Sequence, residues 1–197
     1  VGLVTINQKR LDLMLGNSSV MHMGYIFLAI AALAANPANS IAEPAAILLM
    51  FAHGISIALL FSLTSLVEQK AGTLEISQLG GLAKKAPALA FLFGLAGMAS
   101  IGLPGLANFA GEVMVFFAGF ADWTPGESMG WVQITTIIAL WGVVISAVYM
   151  LRAFRNTFQG PLVKATENAA DIHYCEKIPA YILAATLLVV GIYPKII

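Results

Sequence analysis

The sequence predicts an all-α polytopic membrane protein with about five transmembrane spans, one of them a broken helix. Three observations favour this class. Hydrophobic residues make up 59% of the 197 residues and charged residues only 10%, whereas soluble domains carry about 25% charged residues. Several apolar runs are long enough to cross a hydrocarbon core of about 30 Å as single helices. The basic residues lie almost entirely in alternate connecting segments, as expected for cytoplasmic loops.

Composition also excludes several classes of function. The formal net charge is zero, so no basic surface indicates a nucleic-acid partner. The single cysteine, Cys175, excludes an intrachain disulfide and any multi-cysteine metal or iron–sulfur site. The chain begins at Val1, already apolar and without a signal-peptide pattern, and it stops abruptly after "GIYPKII". We therefore expect a fragment of a longer membrane protein.

Four uninterrupted apolar runs each fit one crossing of the bilayer. They are residues 17–36, 44–67, 130–153 and 178–194. Asn36-Pro37 closes the first run, and Glu43-Pro44 is a favourable start for the second helix. Residues 1–8 read as the end of an earlier helix.

The segment 86–121 predicts a broken helix. As one helix its 36 residues would reach about 54 Å, too long for one straight crossing. Two crossings with a turn would need about 40 residues or more. The sequence "GLPG" supplies a break, because Pro104 removes a backbone N–H and Gly102 and Gly105 loosen the chain. A single crossing with a hinge at these three residues satisfies both limits.

The charges test this reading independently. With five crossings, nine of the ten basic residues fall in alternate segments: Lys9, Arg10, Lys70, Lys84, Lys85, Arg152, Arg155, Lys164 and Lys177. Only Lys195 falls on the other side. If 86–121 crossed twice, the alternation would fail from Arg152 onward. The pattern predicts one broken crossing with the basic loops in the cytoplasm.

Three side chains within the predicted spans can exchange a proton near neutral pH: His22, His53 and Glu112. A buried ionisable group costs roughly 2.5–3.5 kcal/mol on insertion scales, so it usually faces a polar interior and marks an ion or proton path. Imidazole can accept a proton on one nitrogen and release it from the other. The three residues therefore predict a proton relay, although each histidine alone also fits a structural role.

Polar neighbours accompany each member of the predicted relay. Ser56 lies three residues after His53, Asn108 lies four residues before Glu112, and Ser19 precedes His22. Residues three or four apart share a helix face. Glu112 also follows the break, where the positive end of a half-helix would favour its anion and burial its neutral acid. No His, Cys or Asp at ligand spacing indicates a metal site.

Four phrases carry a family resemblance: "SSVMHMGY" (18–25), "FAHGISIALLF" (51–61), "GGLAKKAP" (80–87) and "GLPGLANFAGEV" (102–113). They resemble the antiporter-like subunits of complex I, the respiratory NADH:quinone oxidoreductase. The resemblance implies the second half of an inverted-repeat antiporter-like fold over 1–154, a cytoplasmic loop over 155–177 and an additional span over 178–197. Most relatives carry lysine where Glu112 stands, and glutamate there resembles the M-type subunit.

The resemblance implies that His22, His53 and Glu112 lie on the proton axis, with Glu112 nearest to proton release. It implies a proton-translocating subunit in the bacterial inner membrane, beside the antiporter-like subunits L and N. NADH, FMN, iron–sulfur clusters and quinone would be in partner subunits, and this chain would carry no cofactor. The first half-channel would lie before Val1, so this chain would hold the exit half.

Two alternative functions stay open. The chain could belong to a cation/proton antiporter or a membrane-bound hydrogenase, or could be a structural membrane subunit without its own proton path. The sequence does not decide between proton and sodium as the transported ion.

The segment Arg10-Leu11-Asp12 departs from the family pattern. It reads as though two charges of the family were exchanged, which puts a loop ion pair in doubt. Asp171 and Glu176 resemble a family acidic pair, but a solvated helix start is the preferred reading for both.

Overall fold

The computed structural model describes residues 1–196, which form seven α-helices joined by short loops and three short 3₁₀ turns. The helices are α1 (Gly2–Ile6), α2 (Leu11–Ala35), α3 (Ala42–Ala71), α4 (Pro87–Ile101), α5 (Ala107–Phe120), α6 (Trp131–Phe158) and α7 (Tyr174–Ile192). Four of them are long and apolar enough to cross a membrane, and α4 and α5 are shorter apolar helices. The predicted all-α architecture is confirmed.

The observed helices extend beyond the apolar runs. The helix α2 begins at Leu11, six residues before the predicted span, and α6 continues to Phe158, five residues past its predicted end. Apolar composition marks the part of a helix that lipid can cover, whereas backbone hydrogen bonding continues until a stop signal. For α3 that signal is Gly72, whose φ of 71° closes the helix in the left-handed conformation.

The helix α3 lies at the centre of the bundle and contacts α2, α4, α5 and α7. Its inner face is built from fully buried leucines, including Leu49, Leu59, Leu60 and Leu63. The outer face of α6 instead exposes large apolar side chains such as Ile138 and Trp141. A helix with exposed apolar residues of this size suits a lipid or protein environment rather than water.

The two halves of the broken helix run one after the other along α3. At the start of α4, Asp171 contacts both the α4 backbone and Lys70 near the end of α3. At the middle of α3, Ser56 bonds to Asn108 of α5. At the end of α5, the carbonyl of Ala118 accepts from Asn39, just before α3 begins. Since α4 and α5 advance in one direction, they make one broken crossing, as predicted.

The break spans residues 102–106. Gly102 adopts a φ of 80°, and its N–H bonds to the carbonyl of Ala99 while the N–H of Leu103 reaches Met98. This pair of bonds closes α4 in the Schellman manner. Leu103, Pro104 and Gly105 are exposed. The predicted hinge residues therefore lie at the break itself.

Helix α7 packs against this break through Gly191. A Cβ at Gly191 would lie 2.5 Å from the carbonyl oxygen of Gly105 and from two backbone atoms of Leu106. No side chain fits in that space without movement of the backbone. The contact requires glycine on α7 and fixes the end of α7 beside the start of α5.

Loops on the basic face of the bundle are tied together by backbone hydrogen bonds. Leu11 N–H bonds to the carbonyl of Leu74, and Ile76 N–H bonds to that of Lys9. Arg10 pairs with Asp12 two residues away, with an N–O distance of 2.9 Å at an exposed position. The exchanged charges noted in the sequence thus form a local surface pair, of a kind that contributes little to stability.

Asp171 caps α4, and the solvated reading of this residue is wrong. Its carboxylate accepts hydrogen bonds from the N–H groups of Ala88 and Leu89, at 3.1 and 3.2 Å, and from Ile172. Partial burial opposes ionisation, but these N–H donors outweigh it and lower the pKa of Asp171. Glu176 fits the helix-start reading, because it accepts the N–H of His173 in the first turn of α7.

Candidate functional site

The three titratable side chains singled out in the sequence meet in one buried cluster. His22 comes from α2, His53 from α3 and Glu112 from α5, and each is less than 5% exposed. The rings of His22 and His53 stack with centroids 5.3 Å apart and an interplanar angle of 16°. Nε2 of His22 lies 3.7 Å from Oε1 of Glu112. Helix packing therefore joins residues up to 90 positions apart in the chain.

Two backbone carbonyls hold the ring of His22. Its Nδ1 lies 2.8 Å from the carbonyl oxygen of Ser18, one turn earlier on α2. Its Nε2 lies 2.8 Å from the carbonyl oxygen of Ser100, in the last turn of α4. In a continuous helix the Ser100 carbonyl would face the residue four positions on, which is Pro104 and has no N–H. The break thus presents a free acceptor to His22.

The supporting polar residues contact the cluster as a second layer. Ser19 Oγ lies 2.9 Å from Nε2 of His53. Asn108 donates to Ser56 Oγ at 3.1 Å, and Ser56 donates to the backbone carbonyl of His53 at 3.0 Å. Ser19 and Ser56 therefore contact His53, and Asn108 reaches it through Ser56, which links α5 to α3.

Glu112 is positioned by the break, but not in the way that its sequence position suggested. It is the sixth residue of α5, beyond the first turn in which the helix dipole acts strongly. The expectation that the amino end of α5 stabilises its anion is therefore wrong. Its carboxyl group packs directly against Gly102, where a Cβ would collide with Oε2. Its Oε1 faces Nε2 of His22.

Several contributors to the site have no obvious signal in the sequence. Tyr149 of α6 is fully buried, and its hydroxyl lies 2.6 Å from that of Ser18. The ring of Tyr25 meets the ring of His22 edge-on, with centroids 5.7 Å apart. The two backbone carbonyls that contact His22 also cannot be predicted from residue types. Only Ser100 could have been inferred, because a helix break leaves carbonyls of the preceding turn without donors.

In the part of the chain that the structure describes, several polar atoms of the cluster are buried without a protein partner. Within residues 1–196 no three His, Cys, Asp or Glu side chains are grouped as metal ligands. Over the same residues, Oε1 of Glu112, Nδ1 of His53 and Oδ1 of Asn108 are buried without a protein hydrogen-bond partner. Buried polar atoms of this kind are usually satisfied by internal water.

Comparison with known proteins now gives this arrangement a family. Residues 1–139 match the transmembrane family described as NADH:quinone oxidoreductase/Mrp antiporter. The chain belongs to this family. The resemblance drawn from the four sequence phrases is thus confirmed, and the buried cluster lies within the matched residues.

Among the relatives that the chain resembles are chain 4 and subunit M of quinone oxidoreductases. The chain is 35% identical over 190 residues to NAD(P)H-quinone oxidoreductase chain 4 1 of Synechococcus elongatus, covering 96% of this chain and 34% of the relative. It is 32% identical over 193 residues to NADH-quinone oxidoreductase subunit M of Mycobacterium tuberculosis, covering 98% and 32%. The chain therefore spans about a third of the length of these relatives.

The fold agrees with a solved member of the family. The chain superimposes on a subunit of respiratory complex I from Thermus thermophilus, solved with bound NADH, with a TM-score of 0.86 and 28% identity. The match covers 99% of this chain and 38% of that subunit. The broken helix and the helices around it are therefore arranged as in an antiporter-like subunit of complex I.

Proposed function

We propose that this chain is the exit half of a proton channel in an M-type subunit of NADH:quinone oxidoreductase. The observation that carries the proposal is the buried contact of His22, His53 and Glu112, contributed by three helices at a helix break. Membrane proteins commonly build ion sites at such breaks. Quinone reduction in other subunits would supply the energy.

The cluster has the parts that stepwise proton movement needs. His53 and His22 can each accept a proton on one ring nitrogen and release one from the other. Glu112 can take the proton from His22 across 3.7 Å after a small approach or through one water. Ser19 Oγ touches His53 and can donate or accept a hydrogen bond. The direction of transfer would then run from the histidines to Glu112.

The same proposal covers location and partners. The basic loops would face the cytoplasm of a bacterial cell, and the subunit would lie in the inner membrane between neighbours of the L and N types. NADH, FMN, iron–sulfur clusters and quinone would be bound by partner subunits. Proton release near Glu112 would then occur toward the face that carries Asn39 and Asp122.

A second candidate is a subunit of a multisubunit cation/proton antiporter. The family description itself joins NADH:quinone oxidoreductases with Mrp antiporters. Sodium dependence of transport separates the two, since an antiporter would couple proton movement to a sodium gradient without quinone chemistry. A membrane-bound hydrogenase subunit would be distinguished by the redox partner of the assembled complex.

The experiment uses the full-length subunit assembled in its complex in proteoliposomes. Quinone reduction and proton uptake are followed together for wild type, Glu112→Gln and the control Glu127→Gln, which removes an exposed acid. We expect Glu112→Gln to lower both rates on the order of tenfold or more while the complex stays assembled, because it deletes an acid–base group.

The outcome of this comparison separates three readings. If Glu112→Gln pumps at nearly the wild-type rate, the proton path does not use Glu112 and the proposal fails. If the variant loses assembly while residual complexes pump normally, the cluster stabilises packing, as a structural subunit would require. Loss of pumping in the Glu127→Gln control would indicate a general defect of the preparation.

A further inference from the structure

Two cavities open side by side at the end of the bundle opposite the basic loops. One has a volume of about 300 Å³ and lies between α2 and α6. The other has a volume of about 320 Å³ and lies between the last turn of α2, the end of α5 and the start of α6. Trp131 and Val132 line both cavities, which therefore adjoin. We call this joined space, between residues 24–36 of α2 and 130–135 of α6, the outer cleft.

The outer cleft begins where the close packing of α2 and α6 stops. At Gly142 of α6 a Cβ would collide with the hydroxyl of Tyr25, so the two helices touch at that level. One residue before Tyr25, a Cβ at Gly24 would meet nothing within 4 Å. Between Gly24 and Ala35, the last residue of α2, the helix rises about 16 Å. The cleft therefore reaches to a depth at which lipid acyl chains lie.

The two parts of the outer cleft differ in polarity. The deeper part is lined almost entirely by apolar residues, among them Phe27 and Ala31. The part nearer the surface adds the polar side chains of Asn36, Asp122 and Gln133. Trp131 is 85% exposed between them, as is typical of tryptophan at a membrane–water interface. A space that is apolar inside and polar at its mouth fits an amphipathic molecule.

The mouth of the outer cleft carries a negative charge that no basic residue of the cleft balances. The carboxylate of Asp122 accepts hydrogen bonds from Asn36 at 2.7 Å and from Asn39 at 3.2 Å. Both donors are neutral amides, so they orient the carboxylate without neutralising it. Residues 11–69 and 86–151 contain no Lys or Arg, and among the described residues Asp122 makes no ion pair. A ligand at this position should therefore bring a cation.

We propose that the outer cleft binds phosphatidylethanolamine, with one acyl chain between α2 and α6 and the headgroup ammonium on Asp122. A primary ammonium donates N–H hydrogen bonds, and the ionised carboxylate has lone pairs left to accept them. The ammonium of phosphatidylcholine is trimethylated and has no N–H, and the headgroup of phosphatidylglycerol has no cation. Both should therefore bind less well at this mouth. The proposal does not depend on proton movement through the chain.

The site is tested by photolabelling of the full-length subunit, assembled in its complex in proteoliposomes. The probe is phosphatidylethanolamine with a photoreactive group in one acyl chain, and mass spectrometry identifies the labelled peptides. We expect label within residues 24–31 and 131–135. Unlabelled phosphatidylethanolamine should displace the probe at concentrations at least about threefold lower than phosphatidylcholine or phosphatidylglycerol, a ratio within the range for an exposed charge pair.

Two pairs of variants separate the headgroup contact from the acyl-chain contact. Asp122→Asn should abolish the preference for phosphatidylethanolamine, whereas Glu127→Gln, an exposed acid of the same loop that does not line the cleft, should keep it. Ala31→Phe fills the deeper part and should remove the label at 24–31. Ala34→Phe adds the same ring at an exposed position of α2 that lines neither cavity, and should leave the label unchanged.

Three results would overturn the proposal. Absence of label at 24–31 in wild type would mean that another part of the complex covers the outer cleft. Equal competition by the three lipids would mean that the label reports only the unselective lipid shell. Stronger competition by phosphatidylglycerol would contradict the role of Asp122. The competition in wild type and the comparison of Ala31→Phe with Ala34→Phe decide the question even if Asp122→Asn fails to assemble.

Discussion

The two halves of the broken helix contribute different chemistry to one site. The half α4 contributes backbone: its last turn presents the Ser100 carbonyl to His22. The half α5 contributes side chains: Asn108 bonds to Ser56 and Glu112 approaches His22. In an uninterrupted helix with an N–H at position 104, the Ser100 carbonyl would accept that N–H and would be less available to His22. The break therefore lets a backbone carbonyl of α4 and side chains of α5 meet at the same site beside His22.

The two halves are also held in different ways. The start of α4 is capped by a distant carboxylate, that of Asp171, on the loop before α7. The start of α5 is held sterically, by the contact of Gly191 with Gly105 and Leu106. Both restraints come from the last part of the chain. We therefore expect substitutions at the junction between the halves to have the largest effect. Substitutions at the contact with α5 should have a smaller effect, and those at the cap of α4 the smallest.

The largest effect is expected at the junction, in Gly102→Ala. The new Cβ would collide with the Glu112 carboxylate, and the φ of 80° is itself unfavourable for alanine by roughly 1–2 kcal/mol. Glu112 must then move away from His22, so proton uptake by the assembled complex should fall as far as in Glu112→Gln. Proteoliposome pumping assays measure this.

Gly105→Ala is the matched control for that variant. Gly105 has a φ of 91°, but a Cβ there meets nothing within 4 Å. Gly105→Ala therefore has the same unfavourable backbone conformation as Gly102→Ala but no collision of the new Cβ with Glu112. If the two variants pump equally badly, strain at the break explains the loss and the contact with Glu112 does not.

An intermediate effect is expected where α7 meets α5, in Gly191→Ala. Since the colliding atoms are backbone, α7 must retreat, at a cost of about 1–3 kcal/mol as for other overpacked sites. Thermal inactivation of the assembled complex should occur at a lower temperature. Gly24→Ala, inside α2 with nothing within 4 Å, should be neutral or stabilise by up to about 1 kcal/mol. An unchanged inactivation temperature in Gly191→Ala would show that α7 does not hold the break.

The smallest effect is expected at the α4 cap, in Asp171→Ala. Loss of the carboxylate leaves the N–H groups of Ala88 and Leu89 without this acceptor, at a typical cost of about 1 kcal/mol. Hydrogen exchange in the first turn of α4 should become faster. Glu167→Gln, an exposed change on the same loop, should leave it unchanged.

The cap also predicts a pH dependence. Because the pKa of Asp171 is lowered in the folded protein, its stabilising contribution is complete above the ordinary aspartate pKa. It is lost as the pH falls through the lowered value. Protection of the first turn of α4 should therefore decrease on acidification in wild type, relative to Asp171→Ala. Parallel pH profiles for the two proteins would contradict the assignment.

Sequence reasoning located the elements and the side chains of the site well. Hydropathy and the charge alternation predicted four uninterrupted spans and one broken crossing, because both follow from the order of residue types along the chain. The three titratable residues were found because ionisable groups stand out in apolar surroundings. Whether they act as a relay is a prediction that the experiments above must test.

The remainder depended on information that residue types do not carry. The start of α2 was predicted six residues too late because Leu11 lies beside polar residues that belong to the helix but not to its apolar run. Asp171 was misread because its partners are backbone groups more than 80 residues away. The carbonyls on His22 have no side-chain signature, although Pro104 removes the competing donor of one of them.

The exposed backbone at residues 103–105 has a consequence for what can surround this chain. Hydrocarbon offers no hydrogen bonds, so irregular backbone at membrane depth is tolerated only against protein or water. The half-helix α4 is about 22 Å long, which puts the break well inside the bilayer when α4 starts at the basic face. Lipid tails alone therefore cannot form the boundary at this point. Lipid can cover the other apolar faces of the bundle, but the face that carries residues 103–105 must lie against protein or water.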